Sequence, residues 1–411
     1  VCCGADAGGE GGVVHALAED VGQGPQVLAV GRSGKPRPEV RQGSRARRTA
    51  TNGKSGGQLN SSSEGAIPMA VSTWTLLDAA NDVYQPGMTV GPDDVGLRPP
   101  SPPAGDAQNH ARGPFQVRFR RLGGGLRDRV DVVEIDNGRC QVTVLPTRGM
   151  GLHHAAADGV QLRWRSPVNG PVHPRLVPLM EPGGLGWLFG FDELLCRCGL
   201  ESNGPPLFDN ANRLQFPLHG RIANTPAQKV ELAVDPDSGE IAVSGETVEA
   251  RLFHNSLRMR TTLSTRLGES GFTLTDEITN FPGLESSLPL LYHSNIGSPW
   301  LEPGCQVKLP LAEMAPRDPA AVPGVPTWPR YPAPQPGFAE QAFYTRLAAD
   351  AAGHTQVLLH DAEERTGVGL RFNVQQLPWF VLWKNMRMPE DGYVTGLEPA
   401  LNLPNPNEFE R

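Results

Sequence analysis

Apolar and polar side chains alternate with a period of two residues along many short stretches of this chain. In the stretch 257–265, Leu257, Met259 and Leu263 fall on one face, whereas arginine and threonine side chains fall on the other. Because successive side chains of an extended strand point to opposite faces, this pattern is typical of a half-buried antiparallel strand. The stretches that predict strands on this pattern or on their apolar content are Val130 to Ile135, Cys140 to Leu145, Val230 to Val234, Ile241 to Glu246, Val248 to Phe253, Leu257 to Thr265, Phe272 to Ile278, Gln356 to His360, Val368 to Phe372 and Trp379 to Trp383.

Turn residues separate these stretches. The segment Asp136-Asn-Gly-Arg139 lies between two of the predicted strands. Asn-Gly suits the positive φ angles of a primed two-residue turn, so this segment predicts a β-hairpin.

Helical periodicity is scarce by comparison. Short helical candidates occur around Leu76 to Val83 and near Gly190 to Leu195, and alternating βα units are absent. Many strands at spacings of about 8 to 12 residues favour a large sandwich. We therefore predict an all-β fold built as a large antiparallel two-sheet sandwich.

The first 68 residues differ in composition from the rest of the chain. They contain no Phe, Trp, Tyr or Met and are rich in Gly, Ser and Ala. Such a segment buries too little apolar surface to offset its chain entropy. Residues 1–68 are interpreted either as a disordered basic tail or as an upstream extension foreign to the native product, with Met69 as its start. We favour the second interpretation.

Residues 69–411 are predicted to form a single domain. Within it, residues 315–337 carry eight prolines. That segment is too long for a simple turn and is stiffened by its prolines. It is interpreted as a surface loop, with a lid over a binding pocket as the less favoured alternative.

Charge and cysteine content exclude several classes of protein. The formal net charge is -7, which is unfavourable for a nucleic-acid binder that needs a clustered basic face. No run of about 18 apolar residues predicts a transmembrane helix. Six cysteines in 411 residues form no disulfide framework and no paired metal-ligand motif. We expect a cytoplasmic protein with reduced thiols, no metal site, no cofactor, and neither nucleic acid nor membrane as a partner. The oligomeric state stays open.

Three ionisable residues lie where an apolar stretch gives way to turn residues. His293 closes the run 288–292, His219 precedes Gly220, and Glu398 lies between Leu397 and a proline. A histidine can hold or release a proton at neutral pH, and a carboxylate at a strand end is costly unless it is solvated or paired. A proton donor and a proton acceptor on either side of a pocket are what opening of a sugar hemiacetal requires. Each of the three could equally be structural on its own.

Two basic residues lie beside similar strand ends. Arg148 follows a predicted strand and precedes a glycine, and Lys384 follows the aromatic run 379–383. A guanidinium at such a place can grip hydroxyls or a carboxylate. Either residue could also be a solvated surface charge. His153 and His154, as neighbours on a strand, are expected to point to opposite faces, which makes a shared metal site improbable.

Six segments together resemble the aldose 1-epimerase, or galactose mutarotase-like, superfamily, and more narrowly its bacterial branch described as a domain of unknown function. The segments are Leu145-Pro-Thr-Arg-Gly-Met150, Cys198-Gly-Leu-Glu-Ser-Asn-Gly204, Leu218-His-Gly-Arg-Ile-Ala-Asn-Thr-Pro-Ala227, Leu291-Tyr-His-Ser-Asn-Ile-Gly297, Trp383-Lys384 and Tyr393-Val-Thr-Gly-Leu-Glu-Pro399. The resemblance covers about residue 110 to the end and implies a β-supersandwich with a sugar site on its concave face.

The resemblance also implies roles. His293 would protonate the ring oxygen as general acid, and Glu398 would take the anomeric hydroxyl proton as base. The substrate-binding residues would be His219, Arg148, Arg221, Asn295, Lys384 and Tyr393. Two positions depart from the family pattern, Arg221 after His-Gly and Gly151 after Arg-Gly-Met, so the identity of the sugar stays open.

Two functions remain from the sequence. The first is an isomerase that interconverts anomers or epimers of a free sugar or sugar acid by general acid and base catalysis. The second is a carbohydrate-binding protein that keeps the fold and the pocket but catalyses no reaction. The presence of both a candidate acid and a candidate base favours the enzyme.

Overall fold

A computed structural model of the chain describes residues 13–14, 26–32, 70–96, 115–254, 256–281 and 286–404. Of the predicted extension 1–68, only the strands Val13–Val14 and Gln26–Arg32 belong to the described residues. The interpretation of residues 1–68 as a tail or as a foreign extension otherwise lies outside them and stays a prediction.

Strands dominate the described residues. The 25 strands are β1 (Val13–Val14), β2 (Gln26–Arg32), β3 (Ser72–Asp78), β4 (Val83–Tyr84), β5 (Thr89–Val90), β6 (Gln116–Arg121), β7 (Asp131–Asp136), β8 (Cys140–Leu145), β9 (Gly151–Ala157), β10 (Val160–Leu162), β11 (Leu195–Gly199), β12 (Leu207–Phe208), β13 (Leu214–Phe216), β14 (Lys229–Asp235), β15 (Glu240–Ala250), β16 (Ser256–Arg266), β17 (Gly271–Asn280), β18 (Leu290–Ile296), β19 (Gln306–Lys308), β20 (Leu311–Pro316), β21 (Gln341–Leu347), β22 (His354–His360), β23 (Thr366–Asn373), β24 (Trp379–Asn385) and β25 (Val394–Ala400). Short 3₁₀ helices occupy Pro92–Val95, Gly125–Arg127, Pro146–Arg148, Pro174–Leu176, Gly186–Gly190, Ile222–Asn224, Val322–Thr327 and Pro389–Asp391.

The strands form two large antiparallel sheets and one small hairpin. Sheet A has the order β19-β22-β23-β2-β17-β16-β15-β14-β3-β4, with β1 beside β17. Sheet B has the order β20-β21-β24-β25-β18-β11-β9-β8-β7-β6-β5, with β10 beside β9. The strands β12 and β13 pair only with each other. The predicted all-β class and two-sheet sandwich are confirmed.

The main hydrophobic core lies between the two sheets. In β15 and β16, buried and partly exposed residues alternate along the whole strand. The buried Val243 and Leu263 of sheet A belong to the same cluster as Val144 and Phe380 of sheet B. Inner faces that share one cluster are the mark of a face-to-face β-sandwich.

The middle of sheet B is buried on both faces. All seven residues of β25 and all five of β11 are buried. Leu397 of β25 joins the core between the sheets, whereas Val394 and Ala400 join a second cluster with Trp187 and Leu291. We call this second, loop-covered side of sheet B the outer face; it is the face from which Glu398 projects.

A buried ion pair joins the two sheets. Arg197 of β11 donates to both carboxylate oxygens of Asp276 on β17, from Nε and Nη2 at 2.8 Å each. Arg197 also donates to the carbonyl of Met150 and to the hydroxyl of Thr261. Because every partner is a buried polar group, this cluster satisfies its own hydrogen bonds inside the core.

Most predicted strands are present, but one boundary is wrong. The stretches 241–246 and 248–253 were expected as two strands, and the structure has the single strand β15 from Glu240 to Ala250. Gly245 and Thr247 continue the ladder against β16 instead of turning. The glycine leaves room for Met150, whose sulfur would lie 2.4 Å from a Cβ at that position.

Both predicted helices are wrong. Residues 76–78 belong to β3, and residues 79–82 form a turn before β4. Residues 190–195 instead connect the 3₁₀ helix Gly186–Gly190 to β11. In the part of the chain that the structure describes, no helix has the length and apolarity needed to span a membrane.

The hairpin at residues 136–139 is confirmed, with a different turn geometry. Gly138 has φ of 87°, but Asn137 is not at positive φ. The buried amide of Asn137 instead donates to the hydroxyl of Thr265 and to the carbonyl of Arg266. The asparagine therefore ties this hairpin to sheet A.

Part of the proline-rich segment packs onto the sandwich. Ala321 and Tyr331 are buried in the main core. Lys384 of β24 donates to the carbonyls of Trp328 and Arg330 in the same segment. The segment is thus anchored to sheet B at several points, and its role as a lid stays a prediction.

Candidate functional site

Two motifs that are far apart in sequence meet at the outer face of sheet B. At Gly149 a Cβ atom would lie 2.2 Å from the carbonyl oxygen of Ile222, so only glycine fits there. The amide of Gly149 donates to the carbonyl of Thr225. Nη1 of Arg148 donates to the side chain of Asn224 at 2.8 Å. The Arg-Gly-Met and His-Gly-Arg-Ile-Ala-Asn segments are thereby held together.

A second close approach positions His219. A Cβ on Gly220 would lie 2.2 Å from the carbonyl oxygens of Gly199 and Ser202. His219 has φ of 57°, and its Nδ1 lies 2.9 Å from the carbonyl oxygen of Asn203. A carbonyl can only accept, so Nδ1 carries the hydrogen and Nε2 of the neutral ring carries the lone pair.

His293 is held from behind by Asn295 on the same strand. Nδ1 of His293 lies 2.6 Å from Oδ1 of Asn295. The side-chain nitrogen Nδ2 of Asn295 donates to the carbonyl of Glu193 at 3.0 Å. This bond fixes the orientation of the side-chain amide and leaves Oδ1 as the acceptor. Nδ1 of His293 therefore carries a hydrogen, and Nε2 is the position where a proton can be exchanged.

Glu398 reaches His293 from the neighbouring strand β25. Its Oε1 lies 3.3 Å from Nε2 of His293. A Cβ on Gly396 would lie 2.0 Å from the same oxygen, so this glycine makes room for the carboxylate. Oε1 has no hydrogen-bond partner, because the contact with His293 is close but poorly aligned. A carboxylate oxygen beside a proton-exchanging nitrogen is the central feature of the site.

Aromatic rings surround the pair. The ring centroid of His293 lies 5.6 Å from that of His219, 5.1 Å from Phe191 and 5.4 Å from Trp383. Trp187 packs edge-on against His219, with centroids 4.7 Å apart. Indole and phenyl faces of this kind supply the apolar surface on which the C–H face of a sugar ring stacks.

Burial sets the protonation of the pair. His293 is 5% exposed, and desolvation lowers its pKa to about 3. Glu398 is 3% exposed, and desolvation raises the pKa of its carboxyl well above the usual value, partly offset by the positive charge of Arg317. Burial also lowers the pKa of His219. Burial therefore opposes charge on both partners: it favours a proton on Glu398 and a neutral His293, whose Nε2 can accept a proton.

Arg148 does not face a ligand. It is 1% exposed, and its donors go to the carboxylate of Glu193, the side chain of Asn224 and the carbonyls of Val172 and Gly190. All five N–H groups are engaged once the second contact with Glu193 is included. Arg148 was expected to bind substrate, but its contacts are all internal. It holds the side chain of Glu193 and the segment around Gly190 in place.

Asn295 is likewise internal. It is fully buried, and its amide is used by Glu193, His293 and the backbone. It orients His293 and has no group left for a sugar. Sequence alone could not reveal this, because the partner carbonyl at residue 193 is about a hundred residues away.

Lys384 and Tyr393 lie on the wrong face of sheet B for the site. Side chains alternate along β24, so Trp383 faces His293 and Lys384 faces the proline-rich segment. Nζ of Lys384 donates to the carbonyls of Trp328 and Arg330 and lies 4.6 Å from the ring centroid of Tyr331. The hydroxyl of Tyr393 donates to the carbonyl of Pro332. Neither residue is brought to His293.

Arg221 lies at the rim. Its amide donates to the carbonyl of Gly199, and its guanidinium contacts the sulfur of Met180 at 3.6 Å. It has no contact with His219, His293 or Glu398 among the described residues. Its positive charge reaches Glu249, whose pKa burial raises to about 7.

Several residues of the site have no clear sequence signal. Trp187 and Phe191 lie in a loop rich in glycine and aromatic residues, which is the only hint of a binding wall. Arg317 and Glu340 lie near Glu398 and pair with each other at 2.9 Å, and Glu340 also accepts from the indole of Trp383. In the described ranges no three His, Cys, Asp or Glu side chains come together as metal ligands. The expectation of a site free of metal and cofactor stays a prediction.

Comparison of the chain with known families and solved structures identifies the family to which it belongs. The pattern of the family described as "Domain of unknown function (DUF4432)" matches residues 127–411. A crystal structure of a candidate aldose 1-epimerase from Klebsiella pneumoniae is 30% identical, with a TM-score of 0.76, over 83% of this chain and 86% of that one. A galactose mutarotase-like protein from Clostridium acetobutylicum is 16% identical, with a TM-score of 0.48, over 71% of this chain and 90% of that one.

No curated protein sequence matches the chain. The family match and the similarity to the Klebsiella structure confirm the predicted relationship and the predicted β-supersandwich. The chain belongs to the DUF4432 family and has the galactose mutarotase-like fold.

Proposed function

We propose that this protein is an aldose 1-epimerase-like isomerase that interconverts the anomers of a free sugar or sugar acid. The observation that carries the proposal is the contact of 3.3 Å between Nε2 of His293 and Oε1 of Glu398. The pair lies beside the rings of His219, Trp187 and Trp383. Anomer exchange needs only two proton movements on one small ring, and this pair holds a single mobile proton for them.

In the proposed reaction His293 protonates the ring oxygen from Nε2 while Glu398 takes the proton of the anomeric hydroxyl. The ring opens, the C1–C2 bond rotates, and both protons return on re-closure. Sugar hydroxyls that donate to Glu398 stabilise its carboxylate, which moves the shared proton to Nε2 of His293. Positioned acid and base groups each contribute about 10²- to 10⁴-fold.

His219 is proposed to bind a sugar hydroxyl. Its Nδ1 is committed to the carbonyl of Asn203, so Nε2 accepts from the ligand. Trp383 and Phe191 are proposed to stack on the sugar ring. Arg221 stays a proposed contact for a distal group of the ligand. The buried free thiols of Cys140, Cys196, Cys198 and Cys305 support a reducing, cytoplasmic location as part of the proposal.

A carbohydrate-binding protein without turnover is the second candidate. The observation that favours it is the burial of the pair: His293 is 5% exposed and Glu398 is 3% exposed, so neither side chain presents much surface to a sugar. A sugar that stacks on Phe191 or Trp383 without separating His293 from Glu398 would bind, but its ring would not open.

Anomer exchange measured by saturation-transfer NMR across a panel of neutral sugars and sugar acids tests the proposal. Exchange of at least one sugar is expected to exceed the buffer rate. His293→Ala and Glu398→Ala are each expected to return it to that rate. His354→Gln, which alters a partly buried histidine of sheet A, is the matched control and leaves the rate unchanged.

A thermal-shift screen with the same panel separates the two candidates. Stabilisation without faster exchange supports the binding protein, because a ligand that prefers the native state raises its stability. No acceleration of any sugar above the buffer rate contradicts the enzyme.

A further inference from the structure

A cleft lies outside the proposed site at His293 and Glu398. Its volume is about 580 Å³, within the range of small-molecule sites. The residues that matter in its lining are His153, Arg163, Trp164, Arg165, Ser166 and Asp192.

Trp164 separates this cleft from the proposed catalytic site. Its ring packs against Phe191, with centroids 4.9 Å apart, and Phe191 contacts His293 on its other side. The indole of Trp164 donates to the carbonyl of Glu193. Neither His219, His293 nor Glu398 lines the cleft.

A β-bulge builds one wall of the cleft. Thr143 pairs with His154 and Val144 pairs with Leu152, so His153 is an extra residue in β9. The expectation that His153 and His154 point to opposite faces is therefore wrong: their Nδ1 atoms lie 3.2 Å apart, and both line the cleft. Nε2 of His153 lies 3.4 Å from Oδ2 of Asp192.

Asp192 brings an unsatisfied acceptor to the cleft. It is 7% exposed, and Oδ2 packs against Gly170, where a Cβ atom would lie 1.9 Å from it. Its other oxygen, Oδ1, has no hydrogen-bond partner. A buried carboxylate oxygen without a donor is costly. Oδ1 is closed off from solvent, so a ligand hydroxyl reaches it only when the Asp192 side chain turns towards the cleft.

Two arginines give the cleft a positive edge. Arg163 and Arg165 flank Trp164 and are exposed. Among the described residues neither forms an ion pair within 4 Å of a carboxylate. Glu302 also lines the cleft, but its Oε1 accepts from the hydroxyl of Ser298. Paired guanidinium groups suit a carboxylate or a phosphate.

We propose that this cleft is a second binding site for an anionic monosaccharide, whose carboxylate or phosphate binds Arg163 and Arg165 while a ring hydroxyl donates to the carboxylate of Asp192. A neutral sugar would satisfy Asp192 but leave both arginines unpaired. This site is distinct from the proposed isomerase site and does not depend on it.

Isothermal titration with D-glucuronate, D-glucose 6-phosphate and D-glucose tests the proposal. The double variant His293→Gln, Glu398→Gln serves as background, so that binding at the proposed catalytic pair does not interfere. At least one of the two anions is expected to bind, and D-glucose much more weakly. The two anionic probes distinguish a sugar acid from a sugar phosphate as the ligand.

Charge-matched variants locate the binding. Arg163→Gln with Arg165→Gln is expected to weaken anion binding by at least about tenfold. Arg118→Gln with Arg129→Gln, which removes two exposed arginines that do not line the cleft, is expected to leave it unchanged. Equal affinity in the two double variants, or no binding of either anion, overturns the proposal.

Discussion

Nε2 of His293 and Oε1 of Glu398 lie 3.3 Å apart on neighbouring strands, with both side chains almost fully buried. Burial opposes charge on each partner, so it favours the state in which Glu398 is protonated and His293 is neutral. Coupled groups of this kind titrate as a pair. This relationship leads to a prediction for stability as well as for catalysis.

The pair is expected to give a stability plateau between pH 4.5 and 6.5, the ordinary pKa values of a glutamate and a histidine. The contribution of Glu398, whose pKa is raised, is present below pH 4.5 and is lost as the pH rises towards the raised value. The contribution of His293, whose pKa is lowered to about 3, is present above pH 6.5 and is lost as the pH falls. Within the window, folded and unfolded chains hold the same number of protons on the pair, so the slopes cancel.

Glu398→Gln removes the part of the pH dependence of the unfolding free energy that comes from Glu398. As the pH rises above about 5, the variant is expected to gain about 1.4 kcal/mol per pH unit relative to the native chain, until the raised pKa of Glu398 is reached. Urea unfolding of both chains at matched pH values measures the difference. A difference that does not vary with pH contradicts a buried, protonated Glu398.

Replacement of Asn295 is expected to disturb the tautomer of His293. Asn295→Ala leaves Nδ1–H of His293 without a partner, which costs roughly 1–3 kcal/mol, whereas the carbonyl of Glu193 keeps the indole of Trp164 as a donor. Asn295→Asp places a carboxylate at Nδ1 and is expected to raise the pKa of His293. Nitrogen-15 NMR of the imidazole reports both effects. The native chain is expected to show hydrogen on Nδ1; hydrogen on Nε2 at neutral pH would refute the assignment.

Lys384→Met is expected to affect stability without affecting sugar exchange. The variant leaves the carbonyls of Trp328 and Arg330 without their donor, at a cost of about 1–3 kcal/mol. The exchange rate of the folded variant is expected to match that of the native chain. A large loss of the exchange rate with unchanged stability would show that Lys384 contributes to the catalytic site.

The ion pair between the sheets is expected to behave as a coupled unit. Asp276→Ala leaves Arg197 buried and unpaired, at an expected cost of about 3–5 kcal/mol in unfolding free energy. Arg197→Met combined with Asp276→Leu is expected to cost less than the sum of the single changes. A double-mutant cycle by urea unfolding measures the coupling, and strict additivity would speak against a shared desolvation cost.

Local patterns in the sequence predicted the strands well because one face of sheet A stays exposed. The alternation in β16 is visible for that reason. The alternation does not predict a strand where both faces of the sheet are buried or where a bulge inserts an extra residue. The bulge at His153 has no signature in residues 151–157, since its cause is the pairing with Thr143 and Val144.

The candidate site was predictable in part. The structure brings His219, His293 and Glu398 together, but the expectation that they lie at strand ends is wrong for two of them. His293 lies inside β18 and Glu398 inside β25. Arg148 and Asn295 were expected to face substrate, yet both turn inward, because their partners at residues 193 and 190 come from a loop that is distant from them in sequence. The face on which Lys384 lies follows from strand periodicity once Trp383 is placed beside His293.

The most direct test of the central claim is the anomer-exchange rate of one accelerated sugar with the native chain, His293→Gln and Glu398→Gln, followed by polarimetry from a pure anomer. If the pair moves the protons, each variant loses about 10²- to 10⁴-fold in the catalysed rate while it stays folded. A catalysed rate that is unchanged in both variants would contradict the account.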